Sequence, residues 1–426
     1  MSLTERERQI VALLRSNPTI GSDAIAERLG STRAAVNVHL SNLSRKGVIL
    51  GRGYVLAEQP GVVVVGGANM DIKARSAAPA VPATSNPGRA TMSPGGVGRN
   101  IAENLARLGT RTHLVAAVGR DPLGDTLIRE TAAAGVHLEY VHRTETATGT
   151  YTAVLDHDGE LVVAVSDMAA TVELGPAEVN AARDVIATAG LLVLDGNLAG
   201  PTLGHARNLA ADAGVRTIVE PVSVPKAAAL AALPGLFDPD HPLFAVTPNR
   251  DEVAALTGLP VRTDAQLRAA ADALHSRGVQ YVWIRLGRRG SLLSGPDGAM
   301  LLPAGETTVA DVTGAGDSLL AAFCHALLDG ADPVEAARFG HAAAALTIAS
   351  EHTVRPDLTV RLVRDALPSA ANAHPASEPV TATPARTATP AGTAAPAGNR
   401  APAVTAAPAG TAAPAGNRAP ADTPAP

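Results

Sequence analysis

Thr307-Thr308-Val309-Ala310-Asp311-Val312-Thr313-Gly314-Ala315-Gly316-Asp317, running straight into Ser318-Leu319-Leu320-Ala321-Ala322-Phe323, is the stretch on which the reading of this chain turns. An extended segment gives way to a turn of small residues and then to a helix. Glycine and alanine let the backbone approach a ligand closely. A helix N-terminus offers an anion unpaired N–H groups and a positive dipole. Asp317 falls in that first turn. Together these features suit phosphoryl transfer: backbone around Gly314, Ala315 and Gly316 would steady the moving charge, and Asp317 would accept a proton from an attacking hydroxyl. An Asp after a glycine turn also serves as a plain helix cap, and these four letters alone do not choose between the two.

Upstream of that turn, apolar runs alternate with Ala/Leu-rich helical stretches. The runs include Val62-Val63-Val64-Val65, Leu191-Leu192-Val193-Leu194, Thr217-Ile218-Val219 and Tyr281-Val282-Trp283-Ile284. Unbroken apolar runs of this length suit parallel strands covered on both faces, and their alternation with helices predicts a doubly wound α/β sheet.

Bulk properties narrow the field. A chain of 426 residues has room for two or three domains, and a formal charge of -5 argues against a protein that is basic throughout. One cysteine, Cys324, excludes an internal disulfide and a thiolate metal site, as expected for a reducing cytoplasm. No apolar run is long enough to span a bilayer, and Met1–Ile10 is charged and lacks a signal-peptide core. The lysines Lys46, Lys73 and Lys226 stand in no G-x-x-x-x-G-K-[ST] arrangement, which excludes a P-loop NTPase.

Four further stretches keep company with the Asp317 turn. Asn69-Met70-Asp71 follows the first valine run. Gly95-Gly96-Val97-Gly98-Arg99-Asn100 feeds a helix but fails the dinucleotide fingerprint, because no Gly or Ala follows Gly98 at the required spacing. Thr247-Pro248-Asn249-Arg250-Asp251-Glu252 and Arg285-Leu286-Gly287-Arg288-Arg289-Gly290 each follow a strand. Singly these are weak signals. In this order, across most of the chain, they resemble the PfkB (ribokinase-like) carbohydrate and nucleoside kinases. Ser85-Asn86-Pro87-Gly88, Thr148-Gly149-Thr150-Tyr151 and Ser166-Asp167-Met168 are most similar to the pseudouridine-kinase branch. Ser166 and Glu220 depart from that branch, which has Asn and Asp at these places. Another sugar or ribonucleoside therefore stays open.

The resemblance implies a ribokinase-like doubly wound sheet with a small β lid, from about 72–94 and 150–167, and a homodimer formed through that lid. It implies ATP and Mg²⁺ as cofactors and transfer to the 5′-hydroxyl of pseudouridine, with Asp317 as base. Asn69, Asp71, Gly95, Gly96, Asn100, Thr150 and Asp167 would line the acceptor. Asn249, Glu252, Gly287, Gly290 and Thr313 would lie at ATP, with Asn249 and Glu252 ordering Mg²⁺ through water. Asp311 and Thr313 would bind a monovalent cation, K⁺. The histidines His113, His137, His142 and His157 show no metal-ligand spacing.

Two flanking regions differ from residues 60–369. Residues 1–59 read as a helix over Leu3–Ser16, a second helix over Asp23–Leu29 capped by Ser22, a turn at Gly30-Ser31-Thr32, and a third helix to Lys46. A hairpin about Gly51-Arg52-Gly53 follows. Arg33, Asn37, Ser41 and Arg45 form an i, i+4 stripe on the third helix, suited to phosphates and base edges. The segment resembles a winged helix-turn-helix domain that binds double-stranded DNA, with Arg52 at the wing tip; a docking module is the alternative. Residues 370–426 repeat Ala, Pro, Thr and Gly with little to bury, so a disordered tail is expected. A kinase coupled to transcription and a transcription factor that only senses a ligand are both compatible with this organisation.

Overall fold

The computed structural model describes residues 3–51, 60–305 and 307–367. The four valines of Val62–Val65 show how the sheet is built. Val62 and Val64 face one apolar layer and Val63 and Val65 the other, because successive side chains of a strand point to opposite faces. All four are buried. Parallel neighbours stand on both sides, Thr112–Gly119 and Leu191–Asp195, and every residue of each is buried.

From this centre the nine-stranded sheet extends both ways. On one side lie Thr112–Gly119 and then His137–Thr144. On the other come Leu191–Asp195, Arg216–Glu220, Leu243–Val246 and Val279–Arg285, all parallel, followed by antiparallel Ser291–Gly295 and Gly298–Leu302. The chain reverses its direction of growth between Val62–Val65 and Leu191–Asp195. Doubly wound sheets open a ligand crevice at the carboxyl ends of the strands at such a switch point.

A second sheet of four strands stands apart from this frame, in the order Gly88–Gly95, Asn69–Ser76, Thr150–Leu155, Leu161–Asp167. Met92, Leu161, Val162, Val163 and Val165 remain exposed.

The N-terminal region has its own core of Ile10, Leu14, Ile25, Val36, Leu40 and Leu43 within the helices Glu5–Ser16, Ser22–Arg28 and Arg33–Arg45. Thr4 and Glu7 form a capping box at the first helix, and Thr32 caps the third. The expected cap at Ser22 is corrected: Gly21 occupies the N-cap position without a side-chain bond, and Ser22 is already helical. Arg33, Asn37, Ser41 and Arg45 are all exposed on the third helix. Arg52 and the rest of the hairpin beyond Gly51 lie outside the described residues, as does the tail from 368.

Candidate active site

Helix Ala315–Leu328 carries Asp317 in its first turn. Its apolar side is fixed to the sheet by Phe323, whose ring centroid lies 4.7 Å from that of Trp283, both fully buried. Trp283 Nε1 in turn donates to Ser291 Oγ at 2.7 Å, so the burial leaves no indole N–H unpaired. Gly314 caps the helix with φ +76, and a Cβ there would meet Thr353 O at 2.0 Å. Only glycine fits. The amides of Gly316 and Asp317 have no backbone acceptor among the described residues. Open donors at this turn are what an anion requires.

Asp317 Oδ2 accepts from Asn100 Nδ2 at 2.9 Å, which joins the two glycine-rich stretches across the crevice. Burial pushes the Asp317 carboxyl up to about 8; Glu220 and Asp195 add to the rise, while Asn100 and Arg285 oppose it.

Asn100 belongs to helix Val97–Arg107, whose N-cap is Gly96. Asp195 holds this turn in place from the end of its strand. Its Oδ2 accepts from the amides of Gly67 at 2.9 Å and Gly98 at 3.0 Å, and its Oδ1 from Asn197 at 2.8 Å. A Cβ on Gly66 would lie 2.6 Å from Asp195 Cβ and 3.0 Å from Gly98 Cα; one on Gly98 would lie 2.8 Å from Gly66 Cα. Arg99, also buried, donates to Pro94 O at 3.1 Å and Thr131 Oγ1 at 3.2 Å and pairs with Glu103, which braces the turn from behind.

The lid strand Asn69–Ser76 brings Asn69 and Asp71 to the same crevice, Asn69 Nδ2 donating to Asp71 Oδ1 at 2.8 Å. Asp71 lies against Gly95, where a Cβ would stand 2.4 Å from its Cγ. Burial raises its pKa, with the Asn69 bond and the charges of Lys73 and Arg99 opposing. Thr150 and Asp167 are cross-strand partners beside Met70. Asp167 is exposed, and its Oδ1 accepts from the amide of Ala169 at 3.2 Å.

On the opposite wall, Asn249 and Glu252 form a complete capping box on helix Arg250–Thr257. Asn249 Oδ1 accepts from the amides of Asp251 and Glu252, both at 2.9 Å, and Glu252 Oε2 accepts from the Asn249 amide at 2.8 Å. Glu252 Oε1 keeps no partner among the described residues, which fits a role toward Mg²⁺ through water but not an open carboxylate pair. Gly287 and Gly290 close a 3-10 turn after strand Val279–Arg285. Space is open around Gly287, whereas Gly290 packs on Leu302 O.

Arg285 was not singled out by the sequence. Its Nη2 donates to Glu220 Oε1 at 2.6 Å and Glu252 Oε2 at 3.3 Å. Its Nη1 would lie 2.3 Å from a Cβ on Gly316, so the guanidinium stands against the catalytic turn. Although burial works against the charge, Glu220 and Glu252 hold its pKa above the ordinary value. Val222, whose amide donates to Glu220 Oε1 at 3.3 Å, has φ +72, a backbone outlier for a β-branched residue.

Asp311 and Thr313, expected at a monovalent cation, bond to each other. Asp311 Oδ1 accepts from Thr313 N at 2.8 Å and Thr313 Oγ1 at 2.7 Å, and Lys73 Nζ donates to Asp311 Oδ2 at 3.0 Å. Burial alone would raise the Asp311 pKa; Thr313 and Lys73 outweigh it and hold it low. Both Asp311 oxygens thus accept hydrogen bonds, one of them from an ammonium.

Two side chains stay outside this chemistry. Cys324 is fully buried and its thiol is pushed up to about 12 by that burial, so it packs rather than reacts. His113 and His137, distant in sequence, stack at 4.6 Å beside Glu139 at the opening ends of their strands, away from the crevice.

A switch-point crevice roofed by a separate β lid, with a carboxylate among open helix-end amides, defines a small-molecule kinase of ribokinase-like fold. Residues 59–359 match the pattern of the pfkB family of carbohydrate kinases, and residues 3–49 match winged helix-turn-helix DNA-binding domains. The chain belongs to the pfkB carbohydrate kinase family and carries an N-terminal winged helix-turn-helix domain. It is 36% identical over 359 residues to the Escherichia coli protein YeiI, described as an uncharacterized sugar kinase, covering 84% of this chain and 97% of that one. It is 31% identical over 308 residues to the pseudouridine kinase of Escherichia coli, covering 72% and 96%. Arabidopsis thaliana ribokinase, solved with ribose and ATP, superposes with a TM-score of 0.64 at 25% identity, covering 73% of this chain and 99% of that one. Among the described residues no helix is long and apolar enough to cross a membrane.

Proposed function

We propose that this kinase transfers the γ-phosphoryl group of Mg·ATP to the 5′-hydroxyl of pseudouridine. One observation carries the mechanism: Asp317, with its raised pKa, stands beside the open amides of its own first turn and is bonded to Asn100. Asp317 takes the hydroxyl proton, and the amides around Gly314, Ala315 and Gly316 hold the transferring group. Asn69, Asp71, Gly95, Gly96 and Asn100 hold the ribose, while Thr150 and Asp167 on the lid face the base. Asn249, Glu252, Gly287 and Gly290 border ATP. Asn249 and Glu252 would hold Mg²⁺ through water, and the ion would offset phosphate charge. Arg285 sets its guanidinium beside the same phosphates. Lid closure excludes water and limits ATP hydrolysis.

The choice of pseudouridine rests on the 31% identity to the Escherichia coli enzyme and on the motifs quoted above. A second reading, another sugar or ribonucleoside, draws on the higher identity to YeiI and on Ser166 and Glu220. ADP release measured with pseudouridine, uridine, inosine, ribose and fructose 6-phosphate separates the two. Strongest turnover with pseudouridine is expected, and turnover with none of them would leave a ligand-sensing transcription factor.

The exposed apolar lid face supports a homodimer. The stripe Arg33, Asn37, Ser41 and Arg45, with Arg52, would read duplex DNA, with the cytoplasm as the working compartment. A gel shift on the gene's own upstream DNA, weakened in Asn37→Ala, is the test.

A further inference from the structure

Asn69, Asp71 and Lys73 alternate along the lid strand and so share one face. Asn69 and Asp71 bond each other, while Lys73 reaches out of the lid to Asp311, six positions before Asp317. The loop that Asp311 begins is held from behind, the amides of Ala310 and Asp311 both donating to Ile348 O at 2.8 and 3.2 Å. Lys73 holds its front. A lysine ammonium is a compact point charge, close in size and charge to a potassium ion, whereas a guanidinium is a planar fork. This chain uses three lysines among 35 lysine and arginine residues, so an ammonium at this place is a departure from its own habit.

We propose that Lys73 is a positioning residue whose ammonium takes, on Asp311, the place expected for a monovalent cation, so that the enzyme needs no K⁺ and couples its catalytic turn to the lid. The pair is partly exposed, 34% for Lys73 and 27% for Asp311. Such a pair contributes at most about 1 kcal/mol to folding. Its loss therefore leaves the fold intact and acts on the shape and charge of the turn.

The inference rests on the chain acting as a kinase, and its test reads two quantities, one of which needs no acceptor. Full-length protein is placed in KCl, NaCl or choline chloride at equal ionic strength, about 0.1 M. The thermal midpoint with ATP is recorded, and then turnover with whichever compound of the panel is phosphorylated. Wild type is expected to give the same midpoint and rate in all three salts, and Lys73→Arg to stay insensitive to the salt. Lys73→Met is expected to turn over about tenfold more slowly in choline chloride, a rise of about 1.4 kcal/mol in the barrier. KCl or ammonium chloride should restore its rate and give it a K⁺-specific rise in midpoint. The idea is overturned by a K⁺-specific midpoint or rate in wild type, by a Lys73→Met variant indifferent to salt, or by one that no cation restores. If no compound turns over, the midpoints still decide, and the substrate reading fails separately.

Discussion

Two helix N-termini face each other across the crevice and are finished in opposite ways. Helix Arg250–Thr257 starts with a full capping box, in which Asn249 and Glu252 use their side chains on the helix's own amides. Helix Ala315–Leu328 starts at a left-handed glycine with no side-chain cap, and the amides of Gly316 and Asp317 stay open. A closed end contributes to folding. An open one leaves its donors to a ligand, and the helix forms only because Phe323 and its neighbours hold it on the sheet.

The largest test of this contrast is Asp317→Asn. Turnover should fall about 10²–10⁴-fold with acceptor binding kept. In wild type, kcat/KM should climb with pH and level off above about 8, since the carboxylate must be ionised to act. Stability should move the other way. The folded pKa, about 8, exceeds the ordinary 3.8, so the native state's advantage is full below 3.8 and is lost as pH rises to about 8. Asp317→Asn should therefore melt several degrees above wild type at pH 9 and no higher than wild type at pH 4. Unchanged turnover would make the two N-termini equivalent and end the comparison.

Gly314→Ala comes next. The added Cβ meets Thr353 O and the residue must hold φ +76, which should lower stability by about 1–3 kcal/mol and displace the open amides. Turnover should drop by about 10²-fold, more than the stability loss explains at a temperature where the variant is folded. The smallest effect belongs to the closed end. Asn249→Ala should cost about 0.5–2 kcal/mol in denaturant melts and Asn249→Asp much less, with kcat changed less than in Gly314→Ala.

The closed end also shows where sequence reading was ambiguous. Asn-x-x-Glu is at once a kinase motif and a capping box, and the letters carry both meanings. The doubly wound sheet was legible because runs such as Val62–Val65 state their burial locally. Asp317 and Asn100 were legible because each sits in a short glycine-rich string. Arg285, Asp195 and Lys73 were not, for a physical reason: each acts on groups from other elements. Arg285 joins Glu220 to Glu252, Asp195 gathers the amides of Gly67 and Gly98, and Lys73 spans the lid to Asp311. Such residues look like ordinary strand residues until the chain is folded. Nor do the letters around Asp311 and Thr313 show that a lysine from elsewhere in the chain reaches one of the Asp311 oxygens.

Where Gly66 meets Gly98, Gly98 is blocked by the backbone of Gly66 and Gly67, and Gly66 by the Asp195 side chain and then by Gly98 Cα. Neither glycine can shrink to admit a side chain on the other, and Asp195, which also stands in the way, is held by the amides of Gly67 and Gly98. The floor of the crevice is thereby closed to evolutionary drift. A descendant that changes its acceptor has more room at the rim, on the lid strands, where Ser166 and Asp167 are exposed.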